Sequence, residues 1–149
     1  MNSHPNLMTE ADARAIIAPW YSMFNQPFQG DITALHDRVV TSDYQSHTGD
    51  GPGENWGRDV SIKVIGSFAT SIPDMKFEIK EVLVAGGRVV VRGEVTGTPA
   101  AALFGGLIPH TGKQFRIMAI DIQTIKNGKI SKTYHMENWF AALGQLRDK

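Results

Sequence analysis

Cysteine is absent from the chain, which excludes disulfides, thiolate metal sites and cysteine nucleophiles together. An excess of charge is missing too: 15 basic residues balance 15 acidic ones, and neither kind gathers in a block. Nucleic acid and anionic membranes both reward a basic patch, so neither is expected as a partner. No apolar run approaches the roughly 18–20 residues of a membrane span, and the opening Met-Asn-Ser-His-Pro lacks a signal peptide's basic-then-apolar pattern. Motifs with fixed catalytic spacing are lacking as well. There is no G-x-S-x-G elbow, no phosphate-cradling P-loop, no G-x-G-x-x-G opening a helix after a strand and no H-E-x-x-H. What remains is the expectation of one soluble, cytoplasmic domain, whose 42% apolar content suffices for a core.

The order of elements is legible. Residues 1–8 read as a flexible arm before a single domain over 9–149. Thr9-Glu10-Ala11-Asp12 resembles a capping box with a short acid, and behind it Ile16, Ile17, Trp20, Tyr21 and Phe24 share a helical stripe. Pro19 lies inside that stripe and predicts a bend or a junction. Asp31 is placed to cap a short second helix through Leu35 and His36. Residues 41–59 read as a polar segment rich in turns. A third helix is predicted from Arg58 to Thr70, burying Val60, Val64, Ile65 and Phe68. Strands follow, with Gly86-Gly87 and Asn127-Gly128 as hairpin turns, and Trp139 to Leu146 closes the chain as a helix. Helices first and hairpins after predict an α+β fold, a bent and mainly antiparallel sheet with the N-terminal helices packed on its concave face. Such a cone has an interior, and its mouth is a common ligand site.

Asp121 stands out in this layout. In Phe115-Arg-Ile-Met-Ala-Ile-Asp-Ile122 it shares a strand face with Phe115, Ile117 and Ala119, while Met118, Ile120 and Ile122 line the other. A carboxylate placed among hydrocarbon resists ionisation, which is the state that acid/base catalysis uses. The alternative is an Asp satisfied by backbone groups or a neighbouring Arg. Which residues face it depends on the turn at Asn127-Gly128. A two-residue loop sets Asp121 opposite Tyr134; a three-residue loop sets it opposite Thr133, with His135 and Glu137 on its side.

His135 is close to Asp121 in either register, and His47 lies on a segment able to cover the cone mouth. Asp121, His135 and His47 are thus the candidate catalytic residues. Arg92 and Glu94 share a strand face and either pair in solvent or point inward at a substrate oxygen. With Tyr134, Trp20 and Phe104 they make up the expected substrate contacts. His47, Asp121, Glu94 and His135 have no ligand spacing between them, so no metal or other cofactor is expected.

Several short motifs, taken in order, resemble the SnoaL-like polyketide cyclase or ester cyclase family, within the nuclear-transport-factor-2-like cone folds. They are Tyr44 and His47 as a Y-x-x-H, Ile72-Pro73-Asp74-Met75, Val95-Thr96-Gly97-Thr98, Leu103 to Pro109 before Thr111-Gly112, and Ala119-Ile120-Asp121-Ile122 through Asn127-Gly128-Lys129-Ile130. The resemblance implies a homodimer with a deep apolar pocket. It also implies an aspartate at the position of Asp121 acting as acid/base in a metal-independent aldol ring closure of a polyketide ester. Three departures bear on the substrate: Pro99 stands where a His is frequent, His110 interrupts Pro-Thr-Gly, and Asn138 replaces a common acid. Two rival readings stay open, an epoxide-hydrolase- or isomerase-like enzyme using Arg92 and Glu94, and a non-catalytic module for hydrophobic ligands or dimerisation.

Overall fold

The computed structural model describes residues 7–147. Positions 1–6 of the expected arm, His4 among them, lie outside the described residues, whereas Met8 packs on the core. The described residues form four helices and one six-stranded, unclosed, curved sheet in the order β2-β1-β6-β5-β4-β3.

Helix α1, Glu10–Ser22, starts at the expected capping box: the Thr9 side chain accepts from Asp12 N at 3.1 Å and Asp12 accepts from Thr9 N at 3.0 Å. It continues as one helix through Pro19 and buries Ala13, Ile17, Trp20 and Tyr21. Helix α2, Ile32–Val39, is capped by Asp31, whose side chain accepts from Ala34 N at 3.0 Å. Helix α3, Arg58–Ser71, buries Ser61 and Ile65 instead of Val60, which is exposed. Ile65 is buried and Val64 and Phe68 are half-buried as the apolar pattern suggested, and only Val60 departs from it, because Ser61 is the residue turned to His36 on α2.

The strands β3 (Lys76–Ala85), β4 (Arg88–Gly97), β5 (Phe115–Lys126) and β6 (Lys129–Glu137) form an antiparallel ladder. Its inner face carries Val89, Val91 and Val95 from β4 and Phe115, Ile117 and Ala119 from β5, all buried under the helices. Burying a side chain of that size contributes roughly 1.5–3 kcal/mol. Within the segment read as polar, Val40–His47 forms β1, which lies parallel to β6 and carries the short β2, Asn55–Trp56, at the sheet edge. Its buried residues are Val40, Tyr44 and Ser46. Polar groups turned inward conceal a strand from any search for apolar alternation.

One close approach sets the position of α1. A Cβ on Gly93 would lie 2.3 Å from the Phe77 ring, so only glycine lets Phe77 lie flat over β4. The Tyr21 ring stacks on Phe77 with centroids 4.4 Å apart. Helix α4, Trp139–Leu146, is capped by the Asn138 side chain and returns to cover β5.

Candidate active site

The β5–β6 register adopts neither of the two arrangements drawn from the turn. Asn127-Gly128 is a two-residue turn, with Lys126 opposite Lys129 and both turn residues at positive φ. The ladder then shifts between Thr124 and Ile125, where Ser131 is an extra residue on β6. Beyond this bulge Asp121 stands opposite His135, with Gln123 opposite Thr133 and Ala119 opposite Glu137. The shift runs opposite to a three-residue loop, yet it turns the same set, Thr133, His135 and Glu137, toward the interior.

Asp121 is buried, at 2% exposure, but it is not isolated among hydrocarbon. Its Oδ2 accepts a hydrogen bond from the Tyr21 hydroxyl at 2.6 Å, and its Oδ1 lies 2.5 Å from His135 Nδ1. The expectation of a lone carboxyl is therefore corrected: the cost of burying it is offset by two donors from two other elements. Behind Tyr21 the chain of donors continues. Gln123 Nε2 donates to the Tyr21 oxygen at 2.9 Å, Thr133 Oγ1 donates to Gln123 Oε1 at 2.6 Å, and Tyr44 Oη donates to Thr133 at 2.8 Å. Every donor in this series points toward Asp121. The sequence reading did not select Gln123 or Tyr21 for the site. Position i+2 from Asp121 and the one hydroxyl in the α1 stripe were the available signals.

His135 reaches further. Its Nε2 lies 3.3 Å from Glu137 Oε1, so the ring bridges a buried and a partly exposed carboxylate. Burial disfavours a charged ring, but the hydrogen bonding to Asp121 and Glu137 outweighs it, and His135 titrates well above the ordinary histidine range. Burial, followed by the neighbouring Asp121 charge, also pushes the Tyr21 phenol well above its usual value, so it remains a donor.

A cavity of about 330 Å³ opens beside His135 and Glu137. Its walls include Trp20 from α1 and Phe24 just beyond its end, Val64, Ile65 and Phe68 from α3, Trp56, Phe104 and Trp139. Phe104 sits in the β4–β5 connection at φ 51°, with its ring edge-on to Trp139 at 5.0 Å. Trp20 and Phe104, two of the expected contacts, thus line the cavity, whereas Asp121 stands behind His135. A larger, shallower cleft of about 530 Å³ runs between Met8, α1 and the two hairpin turns, and none of the site residues lines it.

Four expected residues lie elsewhere. Arg92 and Glu94 occupy the outer face of β4, where Arg92 bonds Glu81 at 2.9 Å and Glu94 pairs with Arg116. The outer face is observed, because inward positions on β4 belong to Val91, Gly93 and Val95, but the two residues do not pair with each other. Tyr134 is turned outward by the bulge, and His47, its neighbour across the β1–β6 ladder, packs a ring against it at 5.4 Å. His47 therefore does not meet Asp121; Ser46, one residue earlier, faces the cavity instead. His36 is fully buried, with Nε2 on Ser61 at 3.1 Å, Nδ1 without a hydrogen-bond partner, and its ring against Trp20 and Tyr44. Burial holds its pKa below the usual histidine value. Among the described residues no group of three His, Asp or Glu side chains is arranged to hold a metal ion. No helix among them is long and apolar enough to cross a membrane.

The chain belongs to the SnoaL-like polyketide cyclase family, whose model matches residues 20–146. No functionally curated protein matches it in sequence. Among solved structures it is similar to TsrD from Streptomyces laurentii, with 20% identity, TM-score 0.76, and coverage of 93% of this chain and 96% of that one. It is also similar to IdmH from Streptomyces antibioticus, named as a candidate polyketide cyclase, with 24% identity, TM-score 0.71, and coverage of 89% and 96%. A Catenulispora acidiphila protein of ketosteroid isomerase-like fold matches with 14% identity, TM-score 0.66, and coverage of 88% and 91%. At these identities the likeness establishes the fold, and the family match carries the kinship.

Proposed function

We propose that the protein is a cytoplasmic, cofactor-independent enzyme of the cyclase type, which closes a ring by an aldol reaction within an apolar small molecule. The observation that carries this reading is the buried Asp121–His135 pair, whose imidazole faces a cavity walled by aromatic and aliphatic side chains. Ring closure requires removal of a proton beside a carbonyl and stabilisation of the enolate that results. A charged imidazole ring fixed by a carboxylate is a preorganised donor for such an oxygen. The indole and phenyl walls fold the substrate so that its two reacting carbons approach each other. Tyr21 and Asp121 hold His135 in place.

The epoxide-hydrolase-like alternative relied on Arg92 and Glu94, and their outer-face pairs weigh against it. Exposed Leu83, Met118, Ile120 and Met136 on that outer face favour a homodimer, which sedimentation velocity would test. The catalytic reading is tested with a panel of neutral poly-β-ketone methyl esters, ring closure being followed by mass spectrometry and absorbance. Wild-type protein should cyclise at least one of them, and Asp121→Asn should lose about a hundredfold or more while remaining folded. Tight binding across the panel with no conversion would instead identify a non-catalytic ligand carrier.

A further inference from the structure

The two carboxylates on either side of His135 have unequal freedom. Asp121 has a protein donor on each oxygen and is shielded from the cavity by the imidazole ring. Glu137 lines the cavity, keeps part of its side chain exposed, and touches the ring at the longer distance of 3.3 Å. A group that receives a proton from a ligand must reach it and have a free lone pair. Of the two, Glu137 meets both conditions. Across the ladder it stands opposite Ala119, whose small side chain leaves the carboxylate room to move.

We infer that Glu137 is a catalytic residue, the base that takes the carbon-bound proton, and that His135 serves as the donor to the enolate oxygen. This rests on the acid/base reading above and assigns its parts. In the first step a Glu137 oxygen bonds the proton of a carbon flanked by two carbonyls. The C–H electron pair becomes the enolate, and its oxygen accepts the His135 Nε2–H. In the second step the enolate carbon bonds a second carbonyl carbon, and the new alkoxide takes the proton back from Glu137. No oxidant, water or metal enters the balance. The substrate class follows from the walls. Neither Arg nor Lys lines the cavity, so a neutral 1,3-dicarbonyl with an aromatic or polycyclic body fits and a carboxylate does not.

The test follows deuterium incorporation into the methylene of ethyl benzoylacetate in deuterated buffer, by proton NMR, for wild type, Glu137→Gln, Glu137→Asp, His135→Gln and Asp121→Asn. Each variant is first checked for a cooperative melt. The expected results are a loss of about a hundredfold or more in Glu137→Gln and partial recovery in Glu137→Asp. The wild-type rate should fall in alkali, where His135 loses its charge under the influence of Asp121, Glu137 and Tyr21. If Glu137→Gln keeps the wild-type rate while His135→Gln and Asp121→Asn do not, neutral His135 is the base and the assignment falls. That outcome would also appear as a rate that rises, not falls, when His135 deprotonates. Wild-type protein no faster than all four variants would remove the acid/base reading itself, and this assignment with it.

Discussion

On β4, Arg92 and Glu94 stand on the outer face and pair with Glu81 and Arg116 in contact with solvent. On the neighbouring β5 and β6, Asp121 and His135 stand on the inner face and pair beside Tyr21 of α1. The residue types are of similar chemistry and sit on adjacent strands, but the face decides what they do. Outside, water screens each charge and the long side chains lose rotamer freedom in pairing, so little is gained. Inside, the charge cannot be rehydrated, and removing one partner leaves another buried without compensation. The lesson is that parity along a strand, fixed here by a turn and one bulge, separates a surface ion pair from a buried one.

The largest expected break in this comparison is Asp121→Ala. It orphans the Tyr21 hydroxyl and the His135 ring together and should cost about 3–5 kcal/mol, read by urea denaturation. Next is Gly93→Ala, which drives a methyl into Phe77 and through it into Tyr21. A loss of about 1–3 kcal/mol is expected, with a shift of the Tyr21 ring signals in NMR. A graded effect should follow from pH. His135 has a raised pKa in the folded protein, so its contribution is complete below the unfolded histidine value of about 6.5. It is lost as pH rises through the folded value. Melts taken upward from pH 6.5 should show this decline in wild type and lack it in His135→Gln. The smallest effect belongs to the outer face: Arg92→Ala should change stability by less than about 1 kcal/mol, and less again in high salt. A large loss there would overturn the contrast.

Much of this architecture could be read from the residues. The Thr9 and Asp31 caps, the third helix, the two hairpin turns and the position of Asp121 on an inward-facing strand all follow from local chemistry. The site was less accessible, for two physical reasons. Register depends on the bulge at Ser131, and no turn rule indicates an extra residue three positions beyond the turn. That one residue decides between Tyr134 and His135. The partners of Asp121 are also distant in sequence, with Tyr21 a hundred positions earlier. A tyrosine on an apolar helical stripe reads as core until the opposing strand is known. β1 escaped notice because its buried Tyr44 and Ser46 are satisfied by hydrogen bonds and packing, which composition does not reveal.

One buried ring adds a boundary on the acid side. His36 has no exposed surface and no acceptor at Nδ1; the Asp37 carboxylate stands 3.9 Å away and Arg58 opposes the charge. Acidification therefore loads a proton onto the unfolded chain before the folded one accepts it, and the native state weakens as pH falls below the ordinary histidine value. His135 penalises the alkaline side. Between them, two imidazoles with opposite preferences make stability fall on both the acid and the alkaline side of the ordinary histidine value, one ring being kept dry and the other kept charged.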